Sequence, residues 1–162
     1  MKSILLLTLV LFVSASFAQN HKTSILQDSL IGVWQEDSNL LAAGLADNYQ
    51  FFKDDSFKFN FNSMSCGLRR LWSILGSYKL LKDELILTVT STYESVGGNI
   101  EEAGTEEGEN GFQIIGDRME FIKQDKPSVL HFVLGKNDNS EHSIEINGRK
   151  FYKLSNDPNA FK

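Results

Sequence analysis

Alternation of apolar and polar residues is the main pattern in this chain, and it predicts β-strands. Phe57, Phe59 and Phe61 alternate with one lysine and two asparagines. Residues 85–93 repeat the pattern, with leucine, valine and tyrosine on one face and isoleucine and threonine on the other. Because successive side chains of a strand point to opposite faces of a sheet, we expect each of these strands to have one buried face and one solvent-exposed face.

The same reasoning assigns the remaining strands and turns. Strands are predicted over residues 30–35, 48–53, 69–81, 111–123, 129–134 and on either side of residues 147–148, with turns at 54–55, 82–84 and 125–128. Residues 37–47 are expected to form a short helix or a long loop. Gly76 lies inside the strand over 69–81, where a glycine is typical of a bulge or of the sharp bend in a barrel wall.

The last hairpin is predicted in detail. Asn147-Gly148 lies between two alternating runs and indicates a two-residue type I′ turn, because both central residues need positive φ. That turn places Ile144 opposite Phe151 on one face and oppositely charged residues on the other. We expect the apolar pair to point inward and the charged pair to face water.

Eight or nine short strands with short antiparallel connections indicate an all-β fold, either a barrel or a sandwich. Closure is favoured because it removes exposed edges from a chain rich in apolar strands. We therefore expect a single antiparallel up-and-down β-barrel of about eight strands, forming one domain over residues 19–162.

Residues 94–111 interrupt the alternation. They hold five glycines and six glutamates, which predicts a flexible acidic loop at the barrel rim. Carboxylates suit calcium, but the loop lacks the spaced ligands and fixed glycine of an EF-hand. A solvated loop is the favoured interpretation, and no metal site is assigned.

The first eighteen residues resemble a secretory signal. Lys2 precedes an apolar segment over 4–13, and Ser16-Phe17-Ala18 provides a small-x-small cleavage site. The segment is too short for a membrane span, so we expect export and a soluble mature protein from Gln19, periplasmic or secreted. Its removal makes the formal net charge of −5 more negative by one. This acidity argues against nucleic acid and anionic membrane surfaces as partners.

No residue pattern predicts catalysis. The lone Cys66 cannot form an intramolecular disulfide, and no serine lies in a nucleophile elbow. The histidines, His21, His131 and His142, are too dispersed for a readable metal site. Convergence of acidic residues in space is not visible in sequence. We expect a protein without cofactor that is not an enzyme.

A resemblance to a known family rests on short motifs. Gly32-Val33-Trp34 on a first strand is similar to the G-x-W signature of lipocalin and calycin barrels, and the later motifs at 51–57, 76–80 and 83–87 resemble those of small secreted bacterial lipocalin-like proteins. The resemblance implies that Trp34 packs across one barrel end and that Gly32 lets the chain approach beneath it. Arg149 lies in the region of the family's arginine near the final strand, although it adjoins a turn.

A second, weaker resemblance is to the META domain of exported bacterial proteins. It covers residues 59–87, but the Gly-Cys-Asn motif of that family is absent, since Gly67 follows Cys66.

The resemblance and the aromatic alternation together suggest binding of a small apolar or amphipathic ligand. Its cavity would be lined by Phe57, Phe59, Phe61, Trp72 and Tyr78. The same aromatic residues are also sufficient to fill an eight-stranded barrel completely. In that case the protein is a solid-core interaction module that binds another protein at the cell envelope, and exposed apolar strand surface would favour this alternative.

Overall fold

The computed structural model describes residues 27–37, 46–62, 68–104, 110–135 and 142–160. The signal segment, His21, Cys66, most of residues 37–47, the tip of the acidic segment at 105–109 and the polar segment at 136–141 lie outside these ranges. Nothing in the structure bears on the predictions made for them.

The described residues form one antiparallel sheet of eight strands, preceded by a single helical turn at 27–30. The strands are β1 (Gly32–Glu36), β2 (Asn48–Phe51), β3 (Ser56–Asn60), β4 (Leu71–Leu81), β5 (Glu84–Gly104), β6 (Asn110–Val133), β7 (Ser143–Ile146) and β8 (Arg149–Ser155). Their order is β6-β5-β4-β3-β2-β1-β8-β7. The predicted all-β, antiparallel, up-and-down arrangement is confirmed.

Closure of the sheet into a barrel by a ladder of hydrogen bonds is not found. The two ends of the sheet meet at one isolated bridge between Leu134 and Ile146. Two backbone hydrogen bonds flank it, one from the Asn147 N–H to the Val133 carbonyl and one from the Gly135 N–H to the Glu145 carbonyl, each 2.9 Å long. Before Val133, β6 has no strand partner other than β5 among the described residues.

The apolar face of the sheet forms one core. Trp34, Tyr49, Phe51 and Phe151 belong to it with the alternating residues of β3, β4, β5 and β7. The aromatic rings contact one another directly, as in the edge-on contact of Tyr49 with Phe151 at a centroid distance of 5.2 Å. Alternation thus brings large rings from distant parts of the chain to the same side of the sheet.

Two local predictions are confirmed. Asn147 and Gly148 both have positive φ, 52° and 80°, and the register pairs Ile144 with Phe151. At Gly76 the register of β4 against β5 shifts. A Cβ on Gly76 would lie 1.9 Å from the Thr88 carbonyl oxygen, so only glycine allows this approach.

The predicted acidic loop at 94–111 is wrong for its described residues. β5 continues to Gly104 and β6 begins at Asn110, with pairs extending as far as Gly104 opposite Asn110. Gly97, Gly98 and Gly116 have positive φ and are accommodated inside the ladder. Glycine and glutamate disfavour strands only weakly, and a continuous partner strand overrides that preference.

The predicted turn at 125–128 is also wrong. Val89 pairs with Ser128 and Ser91 with Lys123, so residues 124–127 form a bulge opposite Thr90 within one uninterrupted strand. Pro127 is tolerated because β6 is an edge strand, where the missing N–H costs no ladder hydrogen bond.

Candidate functional site

Four of the five residues predicted to line a cavity lie together. Phe57, Phe59 and Tyr78 are buried members of the core, and Phe61 packs against it. Their rings lie against neighbouring rings, with centroid distances of 4.9 Å for Phe59 to Phe61 and 4.9 Å for Tyr78 to Phe51. These side chains therefore fill space for one another.

Trp72, the fifth predicted residue, lies apart from this core. It is the extra residue of a bulge in β4, since Leu71 pairs with Glu94 and Ser73 with Tyr93. Its Nε1 atom is buried and has no hydrogen-bond acceptor among the described residues. A buried indole N–H ordinarily finds a partner. Bulges are difficult to locate from sequence, so periodicity alone could not show this separation.

The Gly32-Val33-Trp34 motif lies on β1, an interior strand of the sheet between β2 and β8. Gly32 has a φ of 130°, and a Cβ there would lie 2.1 Å from the Ser155 carbonyl oxygen. Trp34 is buried, and its Nε1–H donates a 2.6 Å hydrogen bond to the Leu30 carbonyl. The glycine thus permits close contact of β1 with β8, and the helical turn lies over the indole.

Lys153 is the cation that lies beside the ring of Trp34. The Lys153 Nζ atom lies 5.2 Å from the centroid of the Trp34 ring and donates a 3.0 Å hydrogen bond to the Ser29 carbonyl. Partial burial lowers the pKa of this lysine. The contact combines a cation–π interaction with a backbone hydrogen bond, and it ties the last strand to the helical turn.

Arg149 belongs to a different cluster. Its guanidinium donates to both carboxylate oxygens of Glu36 and to Asp47 at 2.9 Å. Hydrogen bonding to Glu36 raises the pKa of Arg149, with a further contribution from Asp47. The cluster lies close to Tyr49, where burial raises the pKa of the phenol to about 12. This arrangement fastens β1 to β8 and to Asp47, the residue before β2.

An open cleft adjoins Lys153. It has a volume of about 640 Å³ and is lined by Asp28, Ile31, Lys53, Lys153 and Asn156. The lining is mixed in charge and carries none of the aromatic residues predicted to bind ligand.

The face of the sheet opposite the core is more buried than the alternation predicted. Gln35 is 1 % exposed and Ser73 3 %. Asn60 Nδ2 donates to Asn48 Oδ1 at 2.8 Å, and Ser73 Oγ donates to Asn60 Oδ1 at 2.8 Å. This row of side chains crosses β1 to β4, and hydrogen bonds join Asn48, Asn60 and Ser73 to one another. The asparagines that alternate with phenylalanines indicated this polar row, although the alternation was interpreted as a solvent-exposed face.

A large exposed apolar surface lies on the hairpin formed by β5 and β6, which we call the ribbon. Nine of the eleven exposed large apolar side chains among the described residues belong to it: Ile100, Phe112, Ile115, Met119, Phe121, Ile122, Val129, Leu130 and Val133. Phe121 is 68 % exposed, and among the described residues its ring contacts that of Tyr93 alone, at a centroid distance of 4.6 Å. Sequence reasoning missed this surface because it divided the ribbon into a loop and separate strands.

Other chemistry is sparse in the described ranges. They contain no group of three or more His, Cys, Asp or Glu side chains arranged to hold a metal ion. His131 Nδ1 lies 2.7 Å from Glu84 Oε1 on the exposed side of the ribbon. No helix within these ranges is long and apolar enough to cross a membrane.

Comparisons with models of protein families, with curated proteins and with solved structures gave no match.

Proposed function

We propose that this protein is an exported, non-enzymatic interaction module that binds another polypeptide along the ribbon. The observation that carries the proposal is the concentration of exposed apolar side chains on β5 and β6. Scattered apolar residues are normal on protein surfaces, whereas their accumulation on one element is typical of a protein-binding surface.

The backbone of β6 supports the same proposal. This strand has 24 residues and, before Val133, pairs only with β5 among the described strands. An edge of this kind presents unpaired N–H and carbonyl groups, to which an extended segment can add as a further strand. Backbone hydrogen bonds would then supply affinity, and contacts with the exposed side chains of Ile115 and Phe121 on one face and Ile122 on the other would supply specificity.

Site-specific photo-cross-linking tests the proposal. A photoreactive phenylalanine analogue replaces Phe121, and in a second strain Ile115, in the full-length chain expressed in the cell that makes it. Lys79 is the matched control, since it is an exposed residue of the central strand β4. We expect a discrete protein adduct from both ribbon positions and none from Lys79. Absence of an adduct from the ribbon, or the same adducts from all three positions, would contradict the proposal.

A second candidate function, binding of a small apolar or amphipathic ligand, is favoured by a separate observation. Support comes from the buried Trp34 and the close backbone approach at Gly32, both of which the lipocalin-like resemblance implies, and from an open cleft of about 640 Å³ lined in part by Lys153, whose ammonium lies beside the Trp34 ring. Native mass spectrometry of protein purified from its own compartment, followed by organic extraction, tests this candidate. A stoichiometric small molecule supports it, and a clean mass of the chain alone contradicts it.

A further inference from the structure

The open edge of β6 carries charges that suit a copy of itself. Arg118 and Glu120 lie two residues apart, so their side chains share one face of the strand. They form an ion pair with each other. Their side chains are 74 % and 39 % exposed, so both remain accessible to a second chain.

Symmetry restricts how two such edges can pair. Two copies of an edge strand that pair antiparallel in one sheet are related by a two-fold axis perpendicular to the sheet. That axis keeps each side chain on its own face, and directly opposite residues also share a face. Facing residues must therefore be an even number of positions apart in the sequence. Arg118 and Glu120 meet this condition, with the axis passing through Met119.

Charge selects among the neighbouring registers. Like charges that face each other directly are destabilising. Registers centred on Asp117, Arg118, Glu120 or Lys123 place that residue opposite its own copy, and those centred on Phe121 or Ile122 place no charged residues opposite each other within residues 115–123. Of these centres, Met119 alone brings opposite charges face to face without also facing like charges. In that register each Arg118 lies opposite a Glu120 of the other copy.

We propose that the ribbon binds a second copy of this chain, through antiparallel pairing of two β6 edges about a two-fold axis at Met119. This inference rests on the proposed function and names the partner. The register places Ile122 over Gly116, which has no side chain to obstruct it. Ile115 of each copy then lies diagonally across from Phe121 of the other copy, within reach of the aromatic side chain. This contact removes exposed apolar surface from water.

The irregular part of β6 marks one limit of the pairing. Residues 124–127 form the bulge, and Pro127 has no N–H to donate. Regular pairing therefore ends at Lys123, which faces Ile115. Beyond the bulge, the Val133 carbonyl already accepts the hydrogen bond from Asn147. The described structure thus leaves the segment from Ile115 to Lys123 as the contact.

Charge reversal with rescue tests the register. Sedimentation of the mature full-length protein should give a dimer whose dissociation constant rises about tenfold or more for Arg118→Glu, because two facing attractions become repulsions. Glu120→Arg should weaken the dimer similarly. The double variant Arg118→Glu/Glu120→Arg should restore the original dissociation constant. Failure of this rescue would overturn the register, since neither exposed side chain supports the fold.

Disulfide cross-linking provides a second test, in a Cys66→Ser background. Met119→Cys lies on the axis and should form a covalent dimer rapidly on mild oxidation, because facing Cβ atoms are about 5 Å apart. Phe121→Cys is the control. It is a more exposed position, but in this register it lies four residues from its own copy, or about 13 Å. Equal cross-linking at both positions, or faster cross-linking at Phe121→Cys, would overturn the proposal.

The tests separate this inference from the proposed function. A photo-adduct of twice the chain mass with a dimer in sedimentation supports both. A monomer in sedimentation with a discrete adduct to a different protein overturns the self-association and retains the interaction module. A monomer without any adduct overturns both.

Discussion

The ribbon and the buried aromatic core, which we call the body, are both built from alternating apolar and polar residues, but their apolar side chains lie in opposite environments. Phe51 in β2 is completely buried, with 0 % exposure, whereas Phe121 in β6 is 68 % exposed. Both lie in strands with clear alternation. The difference is in what covers the two rings. Phe51 packs against the rings of Tyr49 and Tyr78, whereas among the described residues the ring of Phe121 contacts only that of Tyr93 in the same ribbon. Alternation therefore identifies a strand, but the apolar face of that strand becomes core only if a second layer is present.

Truncation of one phenylalanine in each region should give the largest contrast. Phe51→Ala should lower the free energy of unfolding by about 3–5 kcal/mol, because it leaves a cavity among packed rings. Phe121→Ala should change it by no more than about 0.5 kcal/mol. Urea unfolding at a protein concentration low enough to keep the chain monomeric measures both. Equal losses would mean that the ribbon is part of the cooperative core.

Glycine substitutions distinguish close backbone approach from simple backbone strain. Gly76→Ala should cost about 3 kcal/mol or more, since the new Cβ would lie 1.9 Å from a backbone oxygen of β5. Gly116→Ala should cost about 1 kcal/mol, because its φ is positive but no atom lies within 4 Å of the new Cβ. Thermal unfolding of the two variants compares them directly. A larger loss at Gly116 would contradict the structure of the ribbon.

The fold was predictable where local chemistry decides the outcome. Asn147-Gly148 fixes its turn through positive φ, and Gly76 marks its bulge through the missing side chain. The acidic segment at 94–111 was mispredicted because glycine and glutamate report only weak local preference. Pairing over so many residues outweighs that preference.

The candidate site was less predictable than the fold. The alternation correctly predicted that Phe57, Phe59 and Tyr78 share one face, but it cannot predict whether rings on that face pack against each other or enclose a cavity. It also cannot predict the bulge in β4, so the separation of Trp72 from the other four residues was not predictable. The edge of β6 depends on strand order, which is a property of long-range pairing.

Alkaline pH should destabilise the body in part through Tyr49, one of its two buried tyrosines. Burial raises the pKa of Tyr49 from 10.0 to about 12, so the folded state retains a proton that the unfolded state loses. The contribution of Tyr49 to stability should be constant below pH 10 and fall by about 2–3 kcal/mol between pH 10 and 12. Tyr49→Phe should remove this contribution to the fall of the unfolding free energy with pH, measured by urea unfolding between pH 10 and 12. An unchanged slope in the variant would contradict the burial of the hydroxyl.

The smallest expected difference is between two arginines, Arg149 beside the body and Arg118 in the ribbon. Arg149 donates to Glu36 and Asp47, whose side chains are only 15 % and 16 % exposed. Arg149→Ala should cost about 1–3 kcal/mol, since it leaves two neighbouring carboxylates without their donor. Arg118→Ala in the ribbon should cost less than about 0.5 kcal/mol in the monomer, because that pair is largely in water.

Urea unfolding at low and high salt separates the two arginine contributions. The loss in Arg149→Ala should persist at high salt, because the carboxylates are mostly shielded from solvent. Any stability effect of Arg118→Ala should disappear with salt in the monomer. If both losses were small and equally sensitive to salt, the Arg149 cluster would contribute no more to stability than the exposed Arg118–Glu120 pair. In that case only the aromatic rings and the backbone hydrogen bonds would hold β1 against β8.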